Sequence, residues 1–135
     1  MKKITLLFVS LILFYSCLDS DNDAPNLAYE ILPIDEYTTP DSFTFGQRDT
    51  IKLKYSLPNG CYYFDDIYYE YQDTARVVAI RSIRDLDAVC TEAVVQYDYD
   101  LIVTATQAED YLFKFYKGED ANGDSIFEEV VVPVN

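Results

Sequence analysis

Cys17, Cys61 and Cys90 are the three cysteines of this chain, and histidine is absent. Without histidine the chain lacks the most common general base and the usual zinc ligand. Ser-His-Asp and Cys-His mechanisms within the chain are therefore excluded. Carboxylates are plentiful, with 24 Asp and Glu side chains. Two of them would suffice for glycoside hydrolysis, so a small carboxylate-based hydrolase is the enzymatic alternative. A domain of this size seldom builds the deep cleft such chemistry needs. The expectation is a protein that is not an enzyme.

The cysteines divide by context. Lys2 and Lys3 precede an apolar run from Ile4 to Phe14, and Ser16 stands before Cys17. The run is eleven residues, whereas a spanning helix needs about 20. A cleaved export signal over residues 1–16 fits better. Phe14-Tyr15-Ser16-Cys17 resembles a lipobox, although the aromatic pair departs from its commonest form. That resemblance implies a diacylglycerol on the Cys17 sulfur and a membrane anchor, since buried acyl chains contribute about 0.8 kcal/mol per CH₂. Leu18 stands where some inner-membrane lipoproteins carry a retaining aspartate, and Asp19, Asp21 and Asp23 resemble the acidic export tag of surface lipoproteins in the Bacteroidota. The expected location is the outer membrane, facing outward, with the periplasmic face as the other orientation. In that oxidising setting Cys61 and Cys90 are left to pair as a disulfide. No C-x-x-C occurs to favour a metal.

Asp120, Asn122 and Asp124 alternate as at the start of a calcium loop. An EF-hand then needs glycine directly after the third ligand and a glutamate six residues later. Ser125 and Val131 occupy those places, so the match fails. An irregular calcium site would draw on Glu119, Asp120, Asp124 or Glu128; otherwise no cofactor is expected. Tyrosine is the other unusual feature: there are thirteen, crowded at Tyr62, Tyr63, Tyr68, Tyr69 and Tyr71. In a strand these rings fall on both faces. One face must be core, and exposed rings on the other suit protein or carbohydrate contacts.

Charge narrows the partners. The full chain carries −14; without residues 1–16 it keeps eight basic against 24 acidic groups, a net of −16. Such a surface repels nucleic acid. The expected partners are the membrane, through Cys17, and a protein or glycan ligand.

The elements that hold these groups read as β throughout. Residues 17–26 form the lipidated cysteine and an acidic tether, and 27–135 a single domain. Ile51, Leu53 and Tyr55 alternate with Lys52 and Lys54, the pattern of a half-buried strand. Pro58-Asn59-Gly60 suits a turn, which makes Cys61–Tyr71 the expected partner strand, with a bulge or small turn at Asp65-Asp66. Arg76–Ile83 follows, then Cys90–Thr106 as one long strand or two. Tyr111, Phe113 and Phe115 alternate with Leu112, Lys114 and Tyr116, and Asn122-Gly123 marks the turn before Ile126–Val134. About seven short strands predict an antiparallel, immunoglobulin-like β-sandwich, with a small β-barrel as the alternative. Tyr111 opens a late strand after a polar corner, the position of a tyrosine corner in such sandwiches.

Pro58-Asn59-Gly60-Cys61, Cys90, Tyr111-x-Phe113-x-Phe115, and Lys117-Gly118 with Asp120 and Gly123 before a valine-rich end give a further likeness. Over residues 29–135 the chain resembles small lipoproteins of flavobacteria and their relatives. The shared positions are turn, disulfide and core strand. The resemblance therefore implies an envelope location and this fold, and no activity. The leading expectation is a lipid-anchored envelope protein acting as a binding or structural module; the alternative is a carbohydrate- or calcium-binding module at the cell surface.

Overall fold

The computed structural model describes residues 24–135; the expected export signal, Cys17 and the start of the expected tether lie outside the described residues. Among the described residues there are eight strands: β1 (Leu27–Leu32), β2 (Glu36–Thr38), β3 (Arg48–Leu57), β4 (Tyr62–Gln72), β5 (Ala75–Asp85), β6 (Val95–Thr104), β7 (Tyr111–Glu119) and β8 (Ser125–Val132). They form a β-sandwich of a five-stranded and a three-stranded sheet, and no closed barrel.

The five-stranded sheet is organised by β5. Along one edge β5 pairs with β4 from Ala75 to Arg84. Along its other edge it changes partner: Ala75–Val78 pair in parallel with β7, and Ile80–Asp85 pair antiparallel with β1. Strand β8 then lies outside β7. In the second sheet β3 is central, between β2 and β6. The parallel β5–β7 pair departs from a wholly antiparallel pattern. It arises because the chain crosses to the small sheet to make β6 and returns to β7 in the direction of β5.

Alternation fills the space between the sheets. Ile51, Leu53, Tyr55 and Leu57 of β3 and Leu101 and Val103 of β6 meet Val78 and Ile80 of β5 and Tyr111, Phe113 and Phe115 of β7, all buried. Phe43, on the connection between β2 and β3, closes one end by packing edge-on to Tyr111 and Phe113. Tyr111 makes the corner expected of it. Its buried hydroxyl accepts a hydrogen bond from the Thr106 backbone N–H at 2.9 Å.

Two strand expectations are corrected. Strand β4 is not the partner of β3, although Pro58-Asn59-Gly60 does turn the chain. The Cys61 carbonyl accepts from the Asp85 N–H, and β4 continues as the hairpin partner of β5 through Asp73-Thr74. Asp73 takes the left-handed conformation there, with φ 53°, one that aspartate tolerates better than most residues. The turn at 58–60 therefore carries the chain from one sheet to the other. Strand β6 also starts late, at Val95. Residues 90–94 are tied down by the disulfide instead, and the Thr91 carbonyl accepts from the Gly60 N–H. A Cβ on Gly60 would run into the Thr91 hydroxyl, so any larger residue there would have to displace that side chain.

Candidate functional site

A single bulge decides which tyrosines are available. On β4, Tyr62 and Phe64 pack toward the core; strict alternation would then send Tyr68 inward. The register shifts between Phe64 and Asp66, where Asp65 is the extra residue. Beyond it Ile67 and Tyr69 face the core, and Tyr68 turns to the outer face. The Arg81 guanidinium holds the bulge by pairing with Asp65 and, at 3.7 Å, with Asp66.

The five crowded tyrosines therefore do not make one patch. Tyr62 packs on the core and donates its hydroxyl hydrogen bond to Glu30 at 2.7 Å. Burial raises the Tyr69 hydroxyl to about 12, outweighing the opposing charge of Arg76. Tyr71 is exposed and covers the guanidinium of the buried Arg76 at 4.2 Å. Tyr63 and Tyr68 are left on the outer face of β4.

On that face lies a pit of about 270 Å³. Its floor is Val77 and Ala79 of β5, only 4% and 1% exposed although they point away from the core. They are covered because small side chains at the middle of the sheet are overtopped by larger neighbours. Tyr68 of β4 stands on one side, and Tyr116 of β7 and Phe127 of β8 on the other, with ring centroids 5.9 Å apart. Ile31 of β1 closes one end, where β5 exchanges β7 for β1. Glu70 and Glu119 supply charge to the lining. Glu70 accepts the hydroxyl hydrogen bond of Tyr68 at 2.7 Å, and that bond is the main reason the Tyr68 hydroxyl is held above its ordinary pKa. Burial, with the Glu119 charge nearby, does the same to Tyr116.

The opposite outer face is different in kind. On the three-stranded sheet Lys52 lies beside Asp100 in register, and Lys54 lies between Glu36 and Asp98. The Lys54 ammonium reaches Glu36 at 2.9 Å. Cross-strand opposite charges suit a solvated surface.

Of the residues singled out beforehand, Tyr68 and Glu119 line the pit. Tyr116 and Phe127 were not singled out. The outward phase of Tyr116 was readable from its alternation with Phe113 and Phe115. The covering of Val77 and Ala79 was not readable, because it depends on strand order. The acidic residues of the β7–β8 loop do not converge. The Asp120 carboxylate accepts backbone hydrogen bonds from Asn122 and Asp124, which lowers its pKa. Glu128 lies on β8 and accepts from the Tyr37 hydroxyl at 2.9 Å. Among the described residues no group of three or more His, Cys, Asp or Glu is placed to hold a metal ion. Cys61 and Cys90 form the expected disulfide, with Cα atoms 5.1 Å apart.

No curated protein matches the chain, and no solved structure does. From β3 to the end of β8, residues 51–132, the sequence matches the ORF11 beta-sandwich domain, and the chain belongs to that family.

Proposed function

We propose that this protein is a lipid-anchored, non-enzymatic binding module of the outer membrane, displayed outward, whose contact face is the outer side of the five-stranded sheet. The observation that carries the contact face is the contrast between the two outer surfaces. One is a solvated ladder of opposite charges; the other holds an aromatic-walled pit with half-exposed rings at its rim. Exposed large rings in a polar surround are the composition of binding patches. The anchor rests on Lys2, Lys3, the apolar run and Cys17, and outward display on Asp19, Asp21 and Asp23.

Metabolic labelling with radioactive palmitate, followed by protease shaving of intact cells, tests the anchor and its orientation. The expected result is a labelled protein, label lost in Cys17→Ala, and removal of the domain from unbroken cells. An unlabelled protein, or one cut only after the outer membrane is opened, contradicts the respective part.

A further inference from the structure

We propose that the pit takes the cationic end of a lysine or arginine side chain presented by a partner polypeptide. The proposal rests on the reading of this outer face as the contact face and specifies what it contacts. Size comes first. At about 270 Å³ the pit lies just below the range of about 300–1,000 Å³ typical of sites for drug-sized ligands, and it suits one side chain. Shape comes second. The Tyr116 and Phe127 planes meet at 58°, so they form angled walls rather than the flat platform on which a sugar ring stacks. Aromatic walls attract a cation through their ring quadrupoles.

Charge decides the sign. The charged groups lining the pit are the carboxylates of Glu70 and Glu119. The neighbouring cations on this face are already paired, Arg81 with Asp65 and Asp66, and Lys114 with Glu129 at 3.3 Å. Counting all of these, five carboxylates face two cations. A lysine or arginine would lay its apolar stem on Val77, Ala79 and Ile31, as such side chains do on apolar surface, and bring its charge to the two glutamates. The net charge of −16 that remains without residues 1–16 adds long-range attraction for a basic partner.

The test is ¹⁹F NMR of the mature lipidated protein in detergent, labelled with 3-fluorotyrosine and titrated with Nα-acetyl-lysine methylamide. The Tyr68 and Tyr116 resonances, assigned from the Tyr68→Phe and Tyr116→Phe variants, should shift while that of Tyr63 does not. Nα-acetyl-norleucine methylamide, which keeps the four-carbon stem and lacks the ammonium, should bind roughly threefold or more weakly, and the double variant Glu70→Gln/Glu119→Gln should lose that preference. Equal response to the two probes would overturn the cation, as would no response up to the solubility limit. A response to cellohexaose but not to lysine would overturn it in favour of a glycan. Photo-cross-linking from Phe127 in cells is an independent readout. Cross-links without a lysine response remove the cation and keep the contact face, whereas a lysine response without cross-links removes the contact face.

Discussion

The hydroxyl of Tyr68 lies 2.7 Å from a carboxylate oxygen of Glu70, two residues along the same face of β4. This bond ties one wall of the pit to one of its charges. Glu70→Gln should lower the Tyr68 hydroxyl pKa toward its ordinary value, because the carboxylate that disfavours ionisation is gone. Titration of the fluorotyrosine resonance of Tyr68 measures this. Tyr68→Phe should change folding stability by no more than about 0.5 kcal/mol, as surface substitutions usually do, so binding losses in that variant would not reflect unfolding.

On the core side of the same sheet the Tyr111 hydroxyl accepts from Thr106 and Gln107. Tyr111→Phe keeps the ring against Phe43 and removes the acceptor. Leaving the two part-buried N–H donors without this acceptor should cost about 1–3 kcal/mol, read by urea denaturation. Tyr63→Phe, on the exposed face, should leave the midpoint unchanged.

The Cys61–Cys90 bridge spans 29 positions in the sequence. On the chain-entropy account its removal in Cys61→Ala/Cys90→Ala should cost roughly 3–4 kcal/mol. The loss should appear as a lowered denaturation midpoint, with the double variant and the reduced wild-type protein shifting alike. A variant as stable as the oxidised protein would contradict this.

Alkaline stability should depend on Tyr69. Burial raises its hydroxyl from 10.0 to about 12 in the folded state. The folded protein then binds that proton more tightly than the unfolded chain does. Stability from this group is complete below pH 10 and falls away as the pH rises toward 12. Tyr69→Phe should flatten the decline in that window, measured as denaturation midpoint against pH.

The sandwich was legible from alternation alone: Ile51, Leu53 and Tyr55 on β3, Leu101 and Val103 on β6, and Phe113 and Phe115 on β7 are buried as their spacing requires. Pairing was less legible. Pro58-Asn59-Gly60 is a strong turn signal, yet a turn does not say whether the next strand stays in the same sheet. The hairpin at Asp73-Thr74 has neither glycine nor proline to announce it. The tyrosine stretch promised rings on both faces, and the structure has them. Which rings face outward was set by one bulge at Asp65, held by an arginine sixteen residues away. The pit depends further on β5 changing partner from β7 to β1 beside Ala79, a tertiary fact that no local pattern contains.

Site-specific photo-cross-linking in intact cells tests the contact face most directly. A benzoylphenylalanine, which keeps an aromatic ring in the wall of the pit, is placed at Phe127, or at Ile102 on the charged face of the small sheet. Discrete adducts should form from position 127 and diminish when Tyr68→Ala is added, with none of comparable yield from position 102. Equal adducts from both positions, or adducts only from 102, would contradict it.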